Sequence, residues 1–271
     1  MWIRNRVFPV LALTLAGATG VAHSQDARQL VQQVVTNELT SVQADQSRWL
    51  FCEIDQTPSG RVVRWVAQTE KSDVPRIVEE RGYRLSETEQ LENMEAYLRD
   101  SAAQARERKK WQEDDRQARD LLKQLPEAFV WTLTGTQGNQ AMLHFKPDPK
   151  FHAPTREAKV LTGVEGDLVV DSSQQRIVSL KGRLIHEVKF GGGLLGELKA
   201  GGTFDIERRE VSPGEWQITE THVHLAGRML LFKSVSEQED DEKSNFKLLP
   251  SDLTLEQAKD ELRQRSDLAK N

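Results

Sequence analysis

Between residues 129 and 249 the chain consists of one strand-length segment after another, separated by Gly, Pro and Asp residues. Alternating segments of this kind, with no sustained helical period, are typical of an antiparallel sheet whose neighbouring strands are joined by turns. The sequence therefore predicts an α+β protein. Its main element is a large curved antiparallel β-sheet or incomplete β-barrel, covered by helices, with a long charged helix inserted.

The N-terminus has the three parts of a secretory leader. Arg4 and Arg6 form a positive region, residues 8–21 are mostly apolar, and Ala22-His23-Ser24 ends in small residues. This order predicts a signal peptide over residues 1–24 and a periplasmic or secreted protein. The apolar segment is short and interrupted by Pro and Gly, which disfavours the alternative of an uncleaved anchor. No transmembrane span is predicted after cleavage.

Charge and cysteine content limit the possible partners. Removing the two leader arginines changes the formal net charge from −5 to −7. Proteins that bind nucleic acid neutralise phosphates with clustered Lys and Arg, so this balance argues against a nucleic-acid partner. Cys52 is the single cysteine and cannot form an internal disulfide. We expect it to be a buried, inert thiol in a fold held by burial.

Residues 25–250 are predicted to form a single sheet-based domain with a helical insertion at 86–125, followed by a charged helical tail at 251–271. Apolar residues at helical spacing over 27–39 predict an amphipathic helix that covers the sheet, and residues 49–68 predict a hairpin. Ser86 and Glu89 have the spacing of a capping box. The insertion is either an arm that binds a protein partner or a solvated helix docked by a thin apolar stripe.

Two long strands carry most of the pattern. Residues 167–171 and 176–190 predict an antiparallel pair in which the even positions of the second strand are buried and the odd positions are wet. Residues 216–235 predict another strand, along which the apolar positions change from even to odd and back. Either both faces of that strand are covered, or a β-bulge re-aims it.

One segment carries a family resemblance. Gly166-Asp167-Leu168-Val169-Val170-Asp171, followed by a polar turn and Arg176-Ile177, resembles the outer-membrane lipoprotein-sorting family of periplasmic carriers and their lipid-binding relatives. The similarity covers residues 160–232 in order and pattern, without a diagnostic motif. The chain differs in its charged helix and in lacking the tryptophan often found where Val169 or Val170 stands. It also resembles uncharacterised secreted bacterial proteins in segments 145–156 and 190–204.

The resemblance implies an open antiparallel barrel whose concave apolar side receives acyl chains. Removing each ligand methylene from water would contribute about 0.8 kcal/mol. Eleven apolar residues are expected to line this concavity: Trp131, Leu133, Val178, Leu180, Leu184, Val188, Phe190, Trp216, Ile218, Leu230 and Phe232. The alternative is that these residues are ordinary packed core, because a sequence does not distinguish a hollow barrel from a filled one.

Catalytic and metal-binding chemistry is less well supported. His186, His222 and His224 fall on predicted strands and would bind zinc if they met in space, but satisfied or exposed histidines are the favoured interpretation. The Gly-rich residues 191–196 are better explained as a turn than as a phosphate cradle, with Leu194 and Leu195 at its tip. The acidic residues 237–242 are expected to form a solvated hairpin end rather than a calcium site. No catalytic residue, metal or cofactor is predicted.

Two classes of function follow. The first is an exported, non-catalytic binding protein whose curved sheet carries or senses acyl chains of lipids or lipoproteins. The second is an envelope structural or interaction protein with a filled core, which binds a protein partner through the charged helix. A hollow apolar cavity would favour the first class, and a packed core with an exposed helix would favour the second.

Overall fold

The structure is a computed structural model that describes residues 19–190, 196–229 and 238–265. Side chains are described from residue 26 onward, except those of residues 228 and 229. Most of the predicted leader lies outside this part of the chain, and the backbone of residues 19–24 begins the first helix. Four residues named above, Leu194, Leu195, Leu230 and Phe232, also lie outside the described residues.

Helices and strands alternate in blocks along the described chain. The helices are α1 (Thr19–Ala44), α2 (Glu87–Arg99), α3 (Ser101–Ala128), a 3-10 helix (Glu157–Gly163) and α4 (Leu255–Arg263). The strands are β1 (Arg48–Thr57), β2 (Gly60–Ala67), β3 (Val74–Glu80), β4 (Tyr83–Arg84), β5 (Phe129–Gln137), β6 (Gln140–Pro147), β7 (Val164–Asp171), β8 (Arg176–Leu184), β9 (Val188–Phe190), β10 (Gly196–Leu198), β11 (Thr203–Ser212), β12 (Glu215–His224), β13 (Gly227–Met229) and β14 (Gln238–Leu249).

Eleven of these strands form one open antiparallel sheet in the order β4-β3-β2-β1-β14-β12-β11-β8-β7-β6-β5. The predicted large antiparallel sheet accompanied by helices is therefore confirmed. A second sheet of three short strands has the order β13-β10-β9. No helix in the described part of the chain is long and apolar enough to cross a membrane.

The last strand occupies the centre of the main sheet. β14 pairs with β1 on one side, where Arg48 faces Leu249, and with β12 on the other, where His222 faces Asp240. The expected solvated hairpin end at residues 237–242 needs correction: residues 238–242 pair with the nearby β12, as in a hairpin, but they are the first half of a central strand that also pairs with β1. β1 lies far away in the sequence, and local charge does not reveal such a partner.

Two strands predicted as continuous are divided in the structure. The predicted strand over residues 176–190 ends at Leu184, whose backbone bonds to Gly202 and Gly201, and residues 188–190 join the small sheet instead. The predicted strand over residues 216–235 ends at His224 and resumes as β13 at Gly227. A Cβ at Gly227 would lie 2.1 Å from the carbonyl oxygen of Glu197, so this backbone crossing requires glycine.

The first core lies between one face of β5–β8 and helix α1. The predicted amphipathic helix is confirmed: Ala27, Val31, Val34 and Val35 are buried in this core, and Leu30 and Leu39 pack at its margin. The core also contains the aromatic cluster of Phe129, Trp131 and Phe145, whose ring centroids lie 4.6–5.7 Å apart. Burial of these large side chains contributes most of the stabilisation of this half of the sheet.

The second core lies between β1–β3 and helices α2 and α4. The hairpin of β1 and β2 contributes Leu50, Cys52 and Trp65, while Met94 of α2 and Leu262 of α4 close the core from the helix side. The capping box of Ser86 and Glu89 is confirmed at the start of α2. In the predicted charged tail, α4 docks through a buried face that contains Ala258 and Leu262, because its apolar positions recur at helical spacing.

A buried arginine holds the second core together. Arg76 of β3 has no exposed surface; its Nε donates to Gln90 Oε1 at 2.9 Å, and its Nη1 donates to the carbonyl oxygens of Leu262 at 2.8 Å and Arg263 at 3.1 Å. The last carbonyls of a helix have no intrahelical donor, so this guanidinium caps α4 while it bonds to α2. One side chain thus connects a strand and two helices.

The two cores lie on opposite faces of the sheet. Leu168 of the first core belongs to a row of cross-strand neighbours that continues through Leu180, Ile206, Thr221, Asp241 and Asp55. Cys52 and Ile54 of the second core point to the other side of β1 because side chains alternate along a strand. The two larger cores therefore cover different faces at the two ends of the sheet, and a third, smaller cluster of Trp49, Phe51 and Val66 lies near its centre, with Phe246 of β14 packed against it.

A buried carboxylate attaches α1 to the sheet. Glu38, 2 % exposed, accepts hydrogen bonds from the backbone N–H of Ile177 at 2.7 Å and from Arg208, and its other oxygen lies 3.2 Å from Arg176 Nε. The single Glu38 carboxylate thus serves two guanidinium groups and is the opposite charge that each of them requires when it is removed from water.

We predict that Glu38→Ala lowers the free energy of unfolding by about 3–5 kcal/mol, because it leaves two buried guanidinium groups without a carboxylate. Chemical denaturation measures the change. Glu127→Ala is the matched control: Glu127 of α3 pairs with Arg28 of α1, but its side chain is 64 % exposed, so the loss there stays below about 1 kcal/mol. Equal losses in the two variants would contradict the assigned role of Glu38.

Candidate functional site

The residues predicted to line a concavity do not share one environment. Trp131, Leu184, Val188 and Phe190 are 0–2 % exposed and belong to the first core beneath α1. Val178, Leu180 and Trp216 are partly exposed, whereas Leu133 and Ile218 are 41 % and 43 % exposed. In the described part of the chain, the buried members of the set are therefore packed against other side chains of the same protein.

Two β-bulges displace part of the predicted apolar face. On β8 the register shifts at Val178, so that Ile177 rather than Val178 shares the buried face with Leu180. On β12 the register shifts at Thr219, which confirms a bulge for the first change of apolar phase, from even to odd positions. The predicted change back to even positions falls on Leu230 and Phe232, outside the described residues. A bulge inserts one residue and reverses which positions face the core, so strict alternation assigns the wrong face beyond it.

The clefts described in the structure are lined mainly by polar residues. One lies beside α1 and is lined by Gln29, Gln32, Gln33, Thr36, Asn37, Thr40 and Gln175. Another lies near the end of α3 and is lined by Arg28, Glu127, Asp148, Lys150, Phe151 and His152. Neither is lined by a residue of the predicted apolar face.

The three histidines considered for zinc do not meet. His222 and His224 both contact Asp240 Oδ1, at 2.7 and 2.9 Å, whereas His186 lies near Gly163 in the connection between β8 and β9. No group of three or more His, Cys, Asp or Glu residues within the described ranges is arranged to hold a metal ion. The hydrogen bond with Asp240 raises the pKa of His222, which favours a protonated, satisfied imidazole at this position.

His222 and His224 lie on the face of the sheet opposite the first core, and His222 belongs to a row of charged residues there. The row crosses six neighbouring strands through His144, Asp167, Lys181, Asp205, His222 and Asp240. Basic and acidic residues alternate along it, and Lys181 Nζ lies 3.0 Å from Asp205 Oδ2. Cross-strand pairs of opposite charge stabilise sheet pairing by a few tenths of a kcal/mol each. The row is therefore explained as lateral support for the sheet.

Cys52 is buried in the second core, as expected. Burial raises the pKa of its thiol, and the neighbouring Glu53 carboxylate acts in the same direction. A cysteine with a raised pKa carries little thiolate near neutral pH and is a poor nucleophile. Its surroundings fit a structural role.

Sequence reasoning missed a cluster of charges where β1 meets β14. Glu53 accepts a hydrogen bond from Arg64 and lies 3.4 Å from Lys243 Nζ, which is also 3.1 Å from Asp241 Oδ2. Asp55 faces Asp241 directly across the two strands. We call this group of five side chains the charged seam. The only signal in the sequence was the row of acidic residues 239–242 followed by Lys243, and this row identifies no partner strand.

The charged seam contains more carboxylates than cations, and its ionisation reflects this. Burial favours a raised pKa for Glu53, but Arg64 and Lys243 hold it below its ordinary value. Burial raises the pKa of Asp241 to about 6; Lys243 opposes the shift, and the Glu53 and Asp55 carboxylates add to it. The Oδ1 atoms of Asp55 and Asp241 are buried without a hydrogen-bond partner among the described residues, so charge on Asp241 is costly here.

The longest run of exposed residues in the described part of the chain lies in the middle of α3. The predicted insertion forms two helices separated at Asp100, and residues 105–113 of the second are all exposed. We call residues 105–113 the α3 arm. It carries Arg106, Arg108, Lys109 and Lys110 followed by Trp111, whose side chain is 62 % exposed. This is a basic and aromatic surface on an otherwise acidic protein.

Both ends of the α3 arm are fixed. Before it, Gln104 Nε2 donates to the carbonyl oxygens of Tyr97 at 2.9 Å and Leu98 at 3.1 Å. After it, Leu125 and Ala128 are buried in the first core. Arg108 Nη1 also donates to the carbonyl oxygen of Lys71 at 2.9 Å. The arm is therefore held as a helix without being buried.

Asp241→Asn is predicted to stabilise the protein at pH 8 and to have little effect near pH 4. The folded-state pKa of about 6 exceeds the ordinary value of 3.8, so folding disfavours the charged form. The resulting destabilisation is absent below about pH 4, grows between about pH 4 and pH 6, and is complete above the folded-state pKa. One pKa unit corresponds to about 1.4 kcal/mol, so a shift of roughly two units gives a gain on the order of 3 kcal/mol at pH 8.

Thermal or urea unfolding at both pH values tests this effect. Asp252→Asn, which changes an exposed carboxylate, is the control and should alter stability little at either pH. A loss of stability at pH 8 in Asp241→Asn would show that the ion pair with Lys243 outweighs the cost of burial.

Comparison with known proteins yields no relative: no protein-family model, no curated protein and no solved structure matches the chain.

Proposed function

We propose that this is an exported, non-catalytic interaction protein of the cell envelope, which binds a protein partner through the α3 arm. The observation that carries the proposal is the unbroken exposure of residues 105–113 in a helix anchored at both ends. Because the backbone of such a helix is already ordered, a partner does not have to order it on binding, and this favours affinity. The predicted leader supports the envelope location.

The chemistry of the α3 arm indicates the kind of partner. Four basic side chains stand beside an exposed tryptophan, with Glu107 and Glu113 as the acidic residues of the same segment. Trp and Arg are enriched among the residues that dominate binding energy at protein interfaces. A partner with an acidic surface and an apolar pocket for Trp111 fits this arrangement, and opposite charges would speed its association.

The packing of the first core also favours this function over acyl-chain binding. Four of the residues expected to contact acyl chains are instead buried against α1 and neighbouring strands. In that state they offer no space to a ligand.

Acyl-chain carriage is the second candidate, and one observation favours it. The apolar face that contains Trp131, Leu184 and Phe190 is covered on one side by the amphipathic helix α1, together with the end of α3 and the 3-10 helix. Movement of α1 would open this face to a ligand. The resemblance to lipoprotein-sorting carriers supports the same function.

Site-specific crosslinking in the envelope tests the first proposal. A photo-crosslinking amino acid in place of Gln112 is expected to give a discrete adduct with one partner. The same probe in place of Gln43, an exposed residue at the end of α1, should give none. Arg106→Glu combined with Lys109→Glu should abolish the adduct, because it reverses charge on the arm. No adduct, or one that survives charge reversal, would overturn the proposal.

Native mass spectrometry of the gently purified protein tests the second candidate. Acyl-chain carriage predicts extra mass that solvent extraction identifies as lipid. The interaction protein predicts the mass of the bare chain or of a complex with protein. A lipid-free chain that also fails to take up added fatty acid would eliminate acyl-chain carriage.

A further inference from the structure

The two edges of the main sheet differ sharply in their protection. One edge ends in β4, a strand of two residues that pairs with β3 near the charged residues Glu79, Glu80 and Arg81. β3 itself contains Pro75 and packs against α2. Short strands, proline, charge and a covering helix are the usual means of preventing a sheet edge from pairing with another chain.

The other edge, β5, lacks most of this protection. Its nine residues, Phe-Val-Trp-Thr-Leu-Thr-Gly-Thr-Gln, include no charged residue and no proline. β5 pairs with β6 on one side, and within the described ranges no backbone group of another strand or loop bonds to its outer side. A register shift after Leu133 leaves residues 129–133 as the regular part of the strand. β-branched and aromatic residues dominate this part and favour strand pairing.

Apolar side chains are exposed beside this free edge. Val130 is 44 % exposed and Leu133 is 41 % exposed, and alternation places them on opposite faces of the strand. A strand added to β5 would cover both residues while it satisfied the unpaired backbone groups. β5 therefore has unpaired backbone groups along its outer side and apolar side chains that an added strand would cover.

We propose that β5 pairs with β5 of a second copy of this chain, antiparallel and about a two-fold axis. With the axis at Trp131, Phe129 faces Leu133 of the second copy on the core side, and Val130 faces Thr132 of the second copy on the wet side. Paired residues then lie on matching faces. A neutral strand meets its own copy without like charges in contact.

A second copy of the chain is also favoured by the sheet edges that stay free once two β5 strands have paired. An isologous two-fold contact uses the same surface on both subunits and closes upon itself. Joining two β5 edges leaves a continuous sheet whose two ends are both β4, the protected edge. Assembly therefore stops at the dimer.

Light scattering coupled to size-exclusion chromatography tests the proposal on the chain without its leader. The unaltered protein is expected to be a dimer at micromolar concentrations. Val130→Lys sets a charge against the second copy and should raise the dissociation constant of the dimer at least about tenfold. Ile218→Lys, at an equally exposed position of the interior strand β12, is the matched control and should remain dimeric.

Crosslinking keeps the proposal testable if Val130→Lys fails to fold. Thr132→Cys should give a covalent dimer with a short bis-maleimide, since the only native thiol, Cys52, is buried. The same reagent should leave Tyr83→Cys, on the protected β4 edge, without a dimer. A native chain that stays monomeric at every concentration, or a dimer unaffected by Val130→Lys, would overturn the proposal, whether or not the edge binds another peptide.

Discussion

The pairing of β14 with β1 and β12 is the interaction on which the rest of the sheet depends. In the eleven-stranded order, β14 lies between the N-terminal strands β1–β4 on one side and the strands from β12 to β5 on the other. Phe246 of β14 stacks on the Phe51 ring of β1 and meets the Trp49 ring edge to face, and Leu249 is buried in the second core. Backbone hydrogen bonds and the ion pairs of Lys243 with Glu53 and Asp241 also join the two halves. The facing carboxylates of Asp55 and Asp241 act against this attraction, because like charges that lie close together repel.

Helix packing distributes the remaining interactions between the two ends of the sheet. α1 covers the first core and is attached through Glu38, whereas α2 and α4 cover the second core and are attached through Arg76. In both places one buried charged side chain bonds to several elements. α3 runs from α2 to the first core and leaves its middle turns exposed. Its exposure is thus a consequence of spanning two separately covered regions.

Features determined by local sequence could be predicted, and features determined by distant partners could not. The apolar spacing of α1, the capping box of Ser86 and the first hairpin are local patterns, and the structure contains all three. β14 was missed because its partners in β1 lie at the other end of the chain. The bulges at Val178 and Thr219 reversed the expected faces, since a single inserted residue leaves no distinct pattern. The docking of α4 could not be predicted from its own sequence, because the side chain that caps it, Arg76, belongs to β3.

The position of β14 also has a consequence for how the chain acquires its structure. β1 gains its second neighbouring strand only when β14 pairs with it, for example where Arg48 faces Leu249. The central contact of the sheet therefore joins residues near opposite ends of the described chain. Folding slows when contacts are this distant in sequence, because loop closure precedes the gain from pairing. The sheet therefore stays incomplete during synthesis until nearly all of the polypeptide is available.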